Sequence, residues 1–144
     1  MLIKIKNTIE EIGKLCDSIG DFCKENDISD EKFHDILLIL DEVVTNVISY
    51  AYPDGEEHDF TLEIDKKGDR ITIKLVDSGI PFDPLGKVDP DVDSSIEERQ
   101  IGGLGIFIVK QLSEVVEYSR VDDKNQLTII VSLLNNEANA ATKK

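Results

Sequence analysis

The sequence predicts a two-layer α/β (α+β) sandwich in which a mostly antiparallel, mixed sheet is covered on one face by helices. Three observations lead there. Apolar residues recur at helical spacing in three segments, they alternate with polar residues in five others, and the segments follow the order strand, two helices, two strands, loop, helix, two strands. The 40% of hydrophobic residues in 144 positions suffices for one core, and no linker divides the chain. One domain is expected over 1–134, followed by a flexible polar tail over 135–144.

Leu2, Ile3 and Ile5 stand among lysines as a short edge strand, after which Ile9, Ile12, Cys16, Ile19 and Phe22 share one helix face. A second helix opens around Asp27 to Ser29, with Asp30 and Glu31 at its positive end. Its apolar stripe runs through Phe33, Ile36, Leu37, Leu40, Val43, Val44, Val47 and Ile48 until Tyr52-Pro53-Asp54-Gly55 stops it. Phe60, Leu62 and Ile64, then Ile71, Ile73 and Leu75, alternate on either side of Lys66-Lys67-Gly68-Asp69, which reads as a hairpin with one buried face. The polar stretch from Asp83 to Gln100 lies between core-like segments and is therefore a loop inside the domain. Ile106, Val109, Lys110 and Leu112 predict a third helix running from a glycine turn towards Ser113. Strands of about Val115 to Arg120 and Gln126 to Leu134 close the chain, joined by a turn at Asp122-Asp123-Lys124-Asn125.

A net charge of −14 and a pI near 4.4 repel nucleic acid and anionic lipid, so neither a phosphate-backbone partner nor a membrane surface is expected. A nucleotide remains compatible with this charge where Mg²⁺, backbone N–H groups and a few cations neutralise its phosphates. Cys16 and Cys23 lie seven apart on the first helix without metal-ligand spacing and read as reduced and buried. The start lacks the pattern of a signal peptide, and no apolar run is long enough to span a bilayer, which points to a cytoplasmic protein.

Three islands could carry chemistry. Glu42 and Asn46 are four residues apart, so they stack on one helix face beside the apolar stripe, either facing a site or making local hydrogen bonds in solvent. Asp77 ends a buried strand, and Gly79 permits close approach; the carboxylate could accept from an adenine amino group or simply form an Asx-turn as the chain leaves the strand. Gly102, Gly103 and Gly105, around Leu104, precede an apolar helix, which frees backbone N–H groups for phosphate oxygens or builds a tight turn.

In order and spacing these islands resemble the GHKL ATPase superfamily shared by gyrase, the ninety-kilodalton heat-shock chaperone, histidine kinases and mismatch-repair proteins. The likeness covers roughly Leu37 to Leu134 and is strongest to the anti-sigma-factor serine/threonine kinases. It implies the Bergerat-type ATP-binding fold, ATP and Mg²⁺ as ligands, and a likeness residue by residue. Asn46 would coordinate Mg²⁺ and Glu42 would be the general base. Asp77 would receive the adenine amino group while Gly79 lets the base pack, with Phe82 alongside. Gly102, Gly103, Leu104 and Gly105 would hold the phosphates, and Thr128 on the last strand would touch the base. Residues 83–101 would form an ATP lid whose cations are Lys87 and Arg99, with Arg99 towards the γ-phosphate.

The pattern departs from the family where Gln126-Leu127-Thr128 stands in place of Gly-Thr-Thr, and Arg99 sits two residues earlier than the family's lid arginine. His34 and His58 read as packed or solvated side chains, and no phospho-accepting histidine helix precedes the domain. The resemblance implies transfer of the ATP γ-phosphate to a small STAS-type anti-sigma-factor antagonist, control of a sigma factor by partner switching, and a homodimer. The alternative is a non-catalytic, ATP-gated protein-binding module.

Overall fold

The computed structural model describes residues 1–86 and 104–134. Strand β1 (Leu2–Lys6) is followed by helices α1 (Glu11–Glu25) and α2 (Asp30–Asn46), the latter continuing as a π-turn over Val47–Ala51. Strands β2 (Asp59–Lys67) and β3 (Arg70–Asp77) precede a short 3₁₀ turn at Pro84–Gly86, and helix α3 (Leu104–Leu112) leads into β4 (Val115–Val121) and β5 (Lys124–Ser132). The sheet order is β1-β2-β3-β5-β4, so β5 returns between β3 and β4. All four pairings are antiparallel, so the mostly antiparallel sheet that the sequence predicts is wholly antiparallel among the described residues.

Local chemistry explains the boundaries. Ser29 lies in extended conformation and its hydroxyl accepts from the Lys32 N–H, satisfying one of the donors that open α2, while Asp30 and Glu31 face the positive end of the helix. Ile9, expected on the first helix, precedes α1 and is exposed. The β4–β5 turn is shorter than expected: Asp122 and Asp123 both adopt positive φ, 52° and 61°, which is the two-residue geometry that matches strand twist. Lys124 and Asn125 consequently belong to β5, and the strand ends at Ser132 instead of Leu134.

The core lies between the sheet and the helices. Ile5, Phe60, Leu62, Ile64, Ile71, Ile73 and Leu75 point to it from β1, β2 and β3, and Leu127, Ile129 and Val131 from β5. Ile19, Ile36, Ile39, Leu40, Val43, Val44, Ile106 and Val109 meet them from the helices. On β3 and β5 the alternate residues, such as Thr72 and Thr128, are half-buried on the opposite face. Truncating a core position on the middle strand should therefore be costly. Ile73→Ala is expected to lower unfolding free energy in urea by about 2–5 kcal/mol, and the neighbouring Thr72→Ala by less than about 1 kcal/mol.

Candidate functional site

One end of the core opens as a cavity between α2 and the ends of β3 and β5. Val43, Val47, Ala51, Leu75 and Leu127 supply apolar walls, while Asn46, Asp77, Tyr118 and Asn125 bring polar groups. It encloses about 390 Å³ of atom-free space, solvent at its mouth included, of which about 30 Å³ is wide enough for the centre of a water molecule. This is a narrow slot with a polar end. Phe82 and Pro84 line it from the segment that follows β3. Phe82 stacks on Tyr50 with ring centroids 5.4 Å apart.

Asp77 is 6% exposed at the end of β3. Its Oδ1 accepts from the Gly79 N–H at 2.9 Å, the Asx-turn that turn chemistry alone anticipates, and from Asn125 Nδ2 at 2.9 Å. Asn125, 5% exposed, also donates to the Ile80 carbonyl at 2.7 Å. Its Oδ1 accepts from Arg120 Nη1 at 3.1 Å, from the Phe82 N–H at 3.3 Å and from the Tyr118 hydroxyl. Arg120 further donates to the Gly79 carbonyl at 2.8 Å. The carboxylate is thus held by one oxygen, and the loop after β3 is tied to the β4–β5 hairpin.

Glycine is required where this loop meets the end of the second helix. A Cβ added at Gly79 would lie 2.6 Å from Ala51 Cβ and closer still to the Ala51 carbonyl, which accepts from the Ile80 N–H at 2.9 Å. Gly105, in the first turn of α3, plays a comparable part against α2: an added Cβ would fall 2.5 Å from Glu42 Cδ and closer to Oε2. Glu42 and Asn46 share a face of α2 as expected. Asn46 lines the cavity, whereas the Glu42 carboxylate lies against Gly105. Burial, followed by the neighbouring Asp41 carboxylate, raises the Glu42 pKa above its ordinary value.

The structure thus brings Asn46, Asp77 and Phe82 onto one cavity, with Gly79 buried beside Asp77 and Glu42 and Gly105 one helical turn from Asn46. Thr128 does not join them. It lines a polar hollow with Thr72, Lys74 and Gln126 on the far face of the sheet, and the inward position belongs to Leu127. A strand alternates its faces, so a one-residue offset is enough to move a side chain to the other side. Asn125 and Tyr118 were absent from the sequence expectation; the signal for Asn125 was the two-residue turn, which places it two positions before Leu127 on the inward face. Lys87, Arg99, Gly102, Gly103 and the lid from Lys87 to Ile101 lie outside the described residues, as does the Leu104 side chain. His34 Nδ1 contacts the Asp30 carbonyl and His58 Nε2 contacts Asp54, and neither histidine lines the cavity.

Among the described residues no three His, Cys, Asp or Glu side chains cluster as a metal site. Asn46, whose carboxamide oxygen is a donor type that fits a hard cation, lines the cavity, and the cation's other ligands would be phosphate oxygens and water. The two glycines separate two kinds of constraint. Gly79→Ala meets backbone and should lower stability by about 1–3 kcal/mol in urea unfolding. Gly105→Ala meets the flexible end of Glu42 first and gains helix propensity, so its stability should hold within about 1 kcal/mol while the Glu42 carboxylate is displaced.

Comparison with known proteins agrees with this architecture. The model of the histidine kinase-like ATPase domain matches residues 5–131. The serine/threonine-protein kinase BtrW of Bordetella bronchiseptica is 26% identical over 94 residues, covering 65% of this chain and 66% of that protein. The serine-protein kinase RsbW of Listeria monocytogenes is 27% identical over 110 residues, covering 74% and 69%. The anti-sigma F factor of Clostridium beijerinckii is 22% identical over 100 residues, covering 69% and 70%. The chain thus spans about two thirds of the length of these relatives. Among solved structures, a chain of the SiaB–SiaC complex from Pseudomonas aeruginosa superposes with a TM-score of 0.61 at 13% identity, covering 91% of this chain and 88% of that one. The histidine kinase domain of a blue-light-activated kinase from Erythrobacter litoralis gives 0.51 at 18% identity, covering 86% and 60%. Both share the fold. With the family model covering nearly the whole described core, the chain belongs to the histidine kinase-like ATPase domain family.

Proposed function

We propose that this protein binds ATP with Mg²⁺ and transfers the γ-phosphate to a serine or threonine of a small STAS-type anti-sigma-factor antagonist, controlling a sigma factor by partner switching in the cytoplasm, as a homodimer. The observation that carries this reading is the meeting of Asn46 and Asp77, from helix and strand, on one cavity with Glu42 a helical turn away. The relatives named serine kinases and anti-sigma F factor supply the acceptor class.

In this reading ATP is the substrate that supplies the phosphoryl group, and Mg²⁺ when bound would offset charge on its phosphate oxygens. Asp77 accepts from the base amino group through the oxygen its two hydrogen bonds leave over. The apolar walls of Val47, Ala51 and Leu127 exclude water from the base edge. Asn46 would hold the cation by its side-chain oxygen. Gly102 and Gly103 would turn backbone N–H groups to the phosphates, with Arg99 towards the γ-phosphate and residues 83–101 closing over it. Glu42 takes the proton of the acceptor hydroxyl as its oxygen bonds to phosphorus and ADP leaves.

A non-catalytic, ATP-gated binding module is the second reading, and one contact favours it: the Glu42 carboxylate lies against Gly105 and is not part of the cavity wall. Glu42→Gln separates the two. For a kinase, radiolabel transfer to the antagonist should fall by about 10²–10⁴-fold with Mg-ATP affinity retained. For a binding module, ATP-dependent partner affinity should be unchanged, and the wild type should label no antagonist at all.

The raised pKa of Glu42 fixes two further signs. As a base it works when ionised, so wild-type transfer should fall on acidification at a higher pH than an exposed glutamate would give. A carboxyl whose folded pKa is raised contributes stability below its unfolded pKa, and that stability is lost as pH rises through the folded value. At neutral pH the Glu42→Gln protein should therefore melt at the same temperature as the wild type or higher, measured by calorimetry.

A further inference from the structure

The hydrogen bonds of Asn125 go beyond filling space. Its Nδ2 donates to Asp77 Oδ1 and to the Ile80 carbonyl, and its Oδ1 receives Arg120, Tyr118 and the Phe82 N–H. These partners fix which way the amide faces. Reversing it would set oxygen against two acceptors and NH₂ against three donors. A side chain 5% exposed with every polar valence engaged cannot turn without leaving several groups unpaired.

The consequence falls on Asp77. Asn125 Nδ2 and the Gly79 N–H both end on Oδ1, so that oxygen acts as an acceptor and is fully used by the protein. Oδ2 remains as the oxygen with no partner among the described residues. A carboxylate held this way offers a ligand an acceptor and no donor. The same amide holds Ile80 and Phe82 in place, and Phe82 is a wall of the slot. Together with the Gly79 N–H, this one side chain therefore holds the direction of the carboxylate and the position of the wall beside it.

We propose that Asn125 is a positioning residue that fixes Asp77 as a one-sided hydrogen-bond acceptor and thereby makes the slot select a six-amino purine over a six-oxo purine. A six-amino group donates to Oδ2. A six-oxo group in the same place sets oxygen against oxygen, and a buried polar group left unpaired is what produces large discrimination in such sites. The proposal rests on the reading that the cavity takes the base of a nucleotide.

The test compares ATP with inosine triphosphate, which differs at that amino group, by calorimetric titration of the full chain with excess Mg²⁺. The wild type should bind ATP at least 10-fold more tightly than inosine triphosphate, with discrimination reaching about 10⁴-fold in well-built sites of this kind. In Asn125→Ala the ratio should fall at least tenfold, chiefly through weaker ATP binding. Asn125→Asp keeps the size of the side chain but replaces the donating NH₂ by an oxygen, and above neutral pH it should lower the ratio in the same way; it serves if the alanine variant fails to fold. A folded variant that keeps the wild-type ratio overturns the proposal, and so does one that loses both nucleotides in proportion, as a collapsed network alone would cause. If the wild type binds neither nucleotide, the nucleotide reading itself fails; if it binds ATP and the ratio survives substitution, only the role of Asn125 fails.

Discussion

A carboxylate at the end of a buried strand loses its water, and without hydrogen-bond donors that loss costs several kcal/mol, on the order of what a whole domain has to spare. The end of β3 is arranged around this constraint at Asp77. Two N–H donors reach it, one from its own turn at Gly79 and one from Asn125 across the sheet. Each of those donors is held in turn. Gly79 lies flush against the Ala51 carbonyl, and Asn125 is gripped by Tyr118, Arg120 and the backbone of Ile80 and Phe82. The polar groups of the cavity are thereby positioned by rigid elements, with the loop after β3 fastened to a hairpin and to the end of the second helix.

The same economy of space governs the other side. Glycine at 105 lets the first turn of α3 lie directly on the Glu42 carboxylate, so the residue proposed as the base is packed against the start of that helix. The raised Glu42 pKa belongs to this picture, since the packing that positions the carboxylate also strips its water.

Much of this was legible in the sequence because the signals were periodic. The stripe of α2, its Ser29 cap and the β2–β3 hairpin follow from spacing and turn chemistry, and Glu42, Asn46 and Asp77 follow from their places on those elements. What escaped was decided by single-residue offsets. Four consecutive turn-forming residues, Asp122 to Asn125, concealed a two-residue turn, because Asp123 accepts positive φ as readily as Asp122. Asn125 consequently reads as a loop residue in the sequence although it belongs to β5, whose inward face carries Leu127 and not Thr128. The contact of Gly105 with Glu42 had no local signal, since it joins elements more than sixty residues apart.

The central claim is that the cavity between α2, β3 and β5 receives the base of a nucleotide. Amide and side-chain NMR shifts of the isotope-labelled full chain, followed as Mg-ATP is added, test it most directly. The account predicts that the largest changes fall on Gly79, Asn46 and the Asn125 NH₂ group, saturating with one nucleotide per chain. Saturable changes confined to the Thr72 and Thr128 face of the sheet, or none at millimolar Mg-ATP, would contradict it.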